Sequence, residues 1–168
     1  LHDIPNTVEK GLIAISKLKP TLTTIHISGG DDMQRLSVLK NNKKTKILGV
    51  TVLTSLDKKQ TLKYYKEQNV NSLVKKFAKY AKQNNLNGLV CSPLEIKIVR
   101  KEVGEKMILV VPGIRPEKNF LTKKDDQKRT LTPKAAIKLG ADYLVIGRPI
   151  IESKNPLETI KKINQSIQ

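Results

Sequence analysis

Tyr143-Leu144-Val145-Ile146-Gly147-Arg148-Pro149 joins a continuous apolar run to a glycine, an arginine and a proline. A run without polar alternation is how a strand buried on both faces reads, and such strands belong to parallel sheets covered by helices. Glycine at the exit lets the backbone approach a ligand closely, with N–H groups turned outward. Arginine adds a forked cation that matches a phosphate. The stretch therefore predicts a phosphate site at the C-terminal end of a parallel strand, around Gly147 and Arg148. The plain alternative is a glycine turn with a surface arginine.

Four similar runs precede it, at Thr24–Ser28, Ile47–Leu53, Gly88–Ser92 and Met107–Ile114. Helical signals lie between them. Val70, Leu73, Val74, Phe77, Ala78 and Ala81 recur at helical spacing and make one apolar stripe. Pro93, Pro133 and Pro156 stand where a first helical turn begins, the place that tolerates a missing N–H. Thr132 and Asn155 precede two of them as N-caps, and Gly140 closes Pro133–Leu139 as the residue after the helix. Pro5 opens a further helix through about Leu18.

Strand–helix alternation with short connections predicts a parallel α/β sheet, either open and doubly wound or closed as a (β/α)8 barrel. Neither G-x-G-x-x-G nor the P-loop pattern is present, which weighs against an open nucleotide-binding sheet. About five strands are visible where a barrel has eight. Leu1 opens the chain without methionine or lead-in, so residues 1–168 read as a single C-terminal portion of a barrel domain. Open sheet edges would then leave such a chain prone to poor solubility or edge-to-edge pairing.

The net charge is +17, from 32 Lys and Arg against 15 Asp and Glu. The excess is mostly lysine dispersed in pairs, and aromatics are 4% of the chain, too few for a base-stacking platform. The composition thus argues against a nucleic-acid partner, while the positive field would attract small phosphorylated molecules. No apolar run approaches the ~18 residues a membrane span needs. The single cysteine, Cys91, fits a reducing, cytoplasmic setting. No second histidine or cysteine lies at metal-ligand spacing, so no metal site is expected.

Other stretches bear on chemistry. Pro112-Gly113-Ile114-Arg115-Pro116 opens a long polar segment, Glu117 to Thr130, read as a lid with Gln127 as a neutral phosphate donor and Arg115 as a cation at the mouth. Thr54 and Ser55 fall after a strand, where a ligand would sit or a turn be capped. His26 reads as a strand histidine of the core, followed by a tight Ser28-Gly29-Gly30 exit. Asp3, taken alone, reads as a cap on the helix that Pro5 begins.

Together these strings resemble the bacterial orotidine 5′-phosphate decarboxylases along the whole chain. His2-Asp3-Ile4-Pro5-Asn6-Thr7, His26-Ile27-Ser28-Gly29-Gly30, Val50-Thr51-Val52-Leu53-Thr54-Ser55, Pro112-Gly113-Ile114-Arg115-Pro116, Asp126-Gln127-Lys128-Arg129 and Ile146-Gly147-Arg148-Pro149 occur in the family's order and spacing. The resemblance implies a homodimeric (β/α)8 TIM-barrel, here incomplete, with about five of its eight βα units present from the end of the third strand onward. It implies decarboxylation of orotidine 5′-phosphate to UMP without metal or organic cofactor. It implies that Arg115, Gln127, Gly147 and Arg148 bind substrate, the last three around the phosphate, with Thr54 beside the pyrimidine. Asp3 matches the last aspartate of the family's D-x-K-x-x-D motif, and it and Thr7 reach into the neighbouring subunit's site.

The departure lies in the same motif. Only Leu1 and His2 precede Asp3, so the motif's lysine, the proton donor, is not among these residues. The expectation is a lyase homologue that is inactive as this chain alone. The alternatives are a non-catalytic phosphate- or nucleotide-binding remnant and a sister barrel acting on another sugar phosphate.

Overall fold

The computed structural model describes residues 1–39, 44–116 and 130–168, the side chain of Leu39 excepted. Its strands are β1 (Leu22–His26), β2 (Lys46–Val50), β3 (Gly88–Val90), β4 (Ile108–Val111) and β5 (Tyr143–Leu144). They form one parallel sheet in the order β1-β2-β3-β4-β5. Parallel neighbours need a crossover between them, usually helical. These are α2 (Asp31–Leu39), α3 (Lys58–Tyr65) with α4 (Val70–Gln83), α5 (Ile96–Val103) and α6 (Pro133–Lys138). Helix α1 (Pro5–Ser16) precedes β1, while α7 (Arg148–Ile151) and α8 (Pro156–Ser166) follow β5.

The register shows how the sheet packs. Ile25, Gly49, Leu89 and Leu109 form one lateral row, and Thr24, Leu48, Gly88 and Ile108 the next. Each row carries one glycine among large neighbours. A Cβ on Gly49 would lie 2.7 Å from Ile27 Cγ1 and 2.8 Å from Leu86 Cδ1, and one on Gly88 would overlap the Ile108 carbonyl oxygen. Ile25, Ile47, Leu48, Leu89 and Leu109 are fully buried, as the unbroken apolar runs require.

Helix α4 shows the stripe working. Asn69 caps it by accepting from the N–H groups of Asn71 and Ser72. Leu73, Val74, Phe77, Ala78 and Ala81 are buried against the sheet, and Phe77 meets Tyr65 edge-on at 5.9 Å. Thr132 and Asn155 cap α6 and α8 as expected, and Gly140 takes φ +104° after α6.

The differences are local. Strand β1 ends at His26, and Ile27–Gly29 forms a 3-10 turn instead of continuing the strand to Ser28. Strand β5 stops at Leu144, and Gly147 becomes the N-cap of α7. Helix α1 ends at Ser16, two residues early, because Lys19 turns left-handed at φ 52° ahead of Pro20. The Asp3 cap takes another form. Ile4 is the N-cap of α1, and Asp3 Oδ1 accepts from the Ile4 N–H at 2.7 Å.

At the N-terminal ends of β4 and β5 a buried cation joins four segments. The Arg100 side chain, 8% exposed, donates to Gly140 O from Nε (2.8 Å) and Nη2 (2.7 Å), to Gly104 O (3.0 Å) and to Met107 O (2.7 Å). Its Nη2 also meets Asp142 Oδ2 at 2.6 Å, and the same oxygen accepts from the Leu109 N–H at 2.7 Å. Conservation-of-fold roles belong to this end of a β/α barrel, ligand sites to the other.

Candidate functional site at the C-terminal edge of the sheet

A parallel strand presents its next residues at the C-terminal edge, where open and closed β/α sheets alike bind ligands. After β4, Gly113 takes φ 80° and redirects the chain into Ile114 and Arg115. Ile114 pairs in parallel with Leu131, and the Arg115 N–H donates to Leu131 O at 2.9 Å. The two flanks of the polar segment are thereby held side by side beyond β4. Gln127 and the expected lid, residues 117–129, lie outside the described residues.

Arg115, the expected cation at the mouth, is largely covered. It is 6% exposed, and Nη1 donates to Ile114 O at 2.9 Å. After β5, the Val145 N–H still bonds Val111 O (2.9 Å), and the chain then turns at Gly147 into α7. Among the described residues nothing lies within 4 Å of where a Gly147 Cβ would stand, so they leave the space over this turn open. Since β4 and β5 are neighbours, Arg115, Gly147 and Arg148 share one end of the edge.

Thr54 sits in the turn after β2, four residues past the strand and half-buried. Its neighbour Thr51 is buried, with N–H and hydroxyl both donating to Val90 O at 3.1 and 2.9 Å. This bond fixes where the Thr54 turn leaves the sheet.

Asp3 and Thr7 occupy the opposite flank. The Leu1 N–H donates to Thr24 O (2.8 Å) and the His26 N–H to Leu1 O (2.9 Å). Leu1 thus pairs with β1 as a parallel strand does, and Asp3 emerges at the same C-terminal edge. Both Asp3 and Thr7 are exposed. Counting the Leu1 pairing outside β1, five strand intervals of about 4.8 Å put this flank roughly 24 Å from the β5 end as followed along the sheet.

Reading the sequence missed a histidine pair here. The rings of His2 and His26 lie 5.4 Å apart, and His2 Nε2 is 3.5 Å from Ser28 Oγ. Burial, and then the charge of His2, push the His26 imidazole below its ordinary value of 6.5. The signal was available only in part, since His2 and His26 are 24 positions apart. Among the described residues no group of three or more His, Cys, Asp or Glu side chains is placed to hold a metal.

The model of the orotidine 5′-phosphate decarboxylase / HUMPS family matches residues 1–163. The chain belongs to that family. It is 46% identical over 169 residues to the orotidine 5′-phosphate decarboxylase of Wolbachia from Culex pipiens, covering 99% of this chain and 73% of that protein. The Staphylococcus saprophyticus enzyme of the same name is 40% identical, with the same coverage. The crystal structure of the Lactobacillus acidophilus decarboxylase superposes with a TM-score of 0.82 at 32% identity, over 100% of this chain and 72% of its own. Family membership makes the sheet part of a (β/α)8 TIM-barrel, of which the described residues supply five parallel strands. Within the family's barrel, the edge carrying Thr54, Arg115, Gly147 and Arg148 is the face on which ligand sites are built.

Proposed function

We propose that this chain carries the substrate-gripping part of an orotidine 5′-phosphate decarboxylase, a carboxy-lyase that makes UMP. The observation that supports this most is the pairing of Arg115 and Gly147-Arg148 on adjacent strands at one end of the C-terminal edge. Gly147 leaves open space for a phosphate, Arg148 supplies a planar cation, and Gln127 adds a neutral donor. Thr54 lies beside the pyrimidine, and Arg115 holds the ligand from beneath the edge.

In the reaction, the bond from C6 of the pyrimidine to the carboxylate breaks and CO2 departs. The electron pair stays on C6, which then takes a proton from a lysine ammonium. A charged site that favours the transition state over the ground state supplies the rate, and remote phosphate contacts contribute to it. Asp3 takes part in that charged array, and with Thr7 it serves the site of a second copy. That exchange makes the enzyme a homodimer. No D-x-K-x-x-D motif occurs in the 168 residues, so this chain alone holds the phosphate grip without the proton donor. No helix among the described residues is long and apolar enough to cross a membrane. A cytoplasmic enzyme using no metal or organic cofactor, and binding no nucleic acid, completes the reading.

Two measurements test it. Titration calorimetry with UMP should show binding that Arg148→Ala weakens at least about tenfold, as expected for losing a charge-assisted bond. Equal binding by the variant, or none by the parent chain at millimolar UMP, refutes the grip. The purified chain with orotidine 5′-phosphate should release no CO2 above background; enzyme-dependent release refutes the statement that it is inactive alone.

A further inference from the structure

The chain beyond β4 leaves the line of its strand before it reaches Arg115. Strand β4 ends at Val111, and Gly113 at φ 80° turns the main chain aside. What holds the next two residues comes from further along the chain. Ile114, fully buried, bridges Leu131 in parallel, and the Arg115 N–H donates to Leu131 O at 2.9 Å. A following proline shapes both sides for this pairing. Arg115 precedes Pro116 and Thr132 precedes Pro133, and a residue before proline is biased to an extended backbone. Thr132 shows it, at φ −73° and ψ 156°.

Leu131 is itself anchored. Thr132 Oγ1 caps α6 by accepting from the Ala135 N–H at 3.4 Å, and Pro133 and Ala136 of that helix are buried. The place of the Arg115 main chain is thus passed on from α6 through one residue. The Arg115 side chain stays close to the bridge, with Nη1 donating to Ile114 O at 2.9 Å. A planar guanidinium fork recognises its partner only when its plane is set, so a small shift of the bridge is felt at the ligand.

We propose that Leu131 is a positioning residue for ligand binding, whose bridge to Ile114 sets where the Arg115 guanidinium stands at the C-terminal edge of the sheet. Leu131 acts through Arg115 and needs no contact with the ligand. The ligand, a pyrimidine nucleotide, rests on the proposed function; the hold on Arg115 stands on the geometry alone.

Two variants and two readouts test this. Leu131→Pro takes one N–H out of the bridge, since proline has none to give a ladder. Leu131→Val keeps a strand-forming apolar residue there. Phenylglyoxal reacts with accessible guanidinium groups, and mass spectrometry reads its rate at each arginine. The Arg115 rate should rise about fivefold or more in Leu131→Pro, the factor that one lost main-chain bond corresponds to. In Leu131→Val it should stay at the parent value. Arg100 is the internal control, because it is 9% exposed and its bond to Gly140 O reports whether α6 keeps its place. Its rate should not change in either variant. Titration calorimetry should show UMP binding at least about threefold weaker for Leu131→Pro, with Leu131→Val equal to the parent. An Arg115 rate unchanged by Leu131→Pro overturns the proposal. A rise at Arg100 equal to that at Arg115 overturns it too, because the variant has then loosened the chain as a whole. So does a faster Arg115 with undiminished UMP affinity, which makes the bridge structural only. No UMP binding by the parent chain counts against the proposed function alone, and the modification rates still decide whether Leu131 holds Arg115.

Discussion

Replacing Arg100 by alanine removes five hydrogen bonds that tie α5, the turn before β4, the end of α6 and the start of β5. The acceptors left behind are the carbonyls of Gly104, Met107 and Gly140, beside the Asp142 carboxylate. A bond to a charged group contributes about 1.5–3 kcal/mol alone, but bonds to one guanidinium are not additive. Removing one partner of a buried ion pair costs about 3–5 kcal/mol. Here Asp142 is 42% exposed and keeps the Leu109 N–H, so its share is discounted. Glu105, at 3.7 Å and 85% exposed, adds little. The expected loss is about 3–4 kcal/mol, a fall in melting temperature of roughly 6–16 °C for a chain of this size. Arg100→Lys should recover less than half, because a point ammonium cannot span a fork of four acceptors. Asp142→Asn should cost only about 1 kcal/mol, since the amide oxygen still accepts from both donors. Urea melts followed by circular dichroism measure all three. A loss under about 1 kcal/mol for Arg100→Ala, with an unchanged native spectrum, would show that the tie is incidental.

Gly88→Ala should destabilise by about 3 kcal/mol, the upper end for overpacking, because the new Cβ overlaps the Ile108 carbonyl and lies 2.8 Å from Leu48 Cδ2; an unchanged urea midpoint contradicts this. The depressed His26 value gives a pH dependence. The unfolded chain takes up that proton first, so the His26 contribution is complete above 6.5 and is lost as pH falls through the lower folded value. The melting temperature should therefore drop as pH falls through 6.5 and below, and His26→Gln should shrink the drop. Equal drops in the two proteins would remove His26 as the cause.

Much of the sheet was legible because its strands are buried on both faces and so read as unbroken apolar runs. Their bounds were less so. Ile27 continues the apolar run of β1 yet turns into a 3-10 helix, where its side chain fills the space beside Gly49. Helices α2 and α3 escaped notice because their apolar stripes are weak, although Asp57 and Gln60 spell out the reciprocal cap that starts α3. Of the candidate site, the positions after strands were readable from glycine, proline and arginine at strand exits. The burial of Arg115 was not, because it depends on Leu131 pairing with the chain beyond β4.

Local sequence alone determined where the strands and the better-marked helices lie, and that the ligand edge lies after the strands. Periodicity, caps and turn residues act within a few positions, and several of the motifs follow strand ends. Tertiary structure alone decided which of them meet. Strand order brings Arg115 beside Gly147 and Arg148 while holding Asp3 and Thr7 at the far flank. It also joins residues 40 apart through the Arg100 guanidinium. Such neighbours are set by which surfaces bury one another, and no local pattern records that.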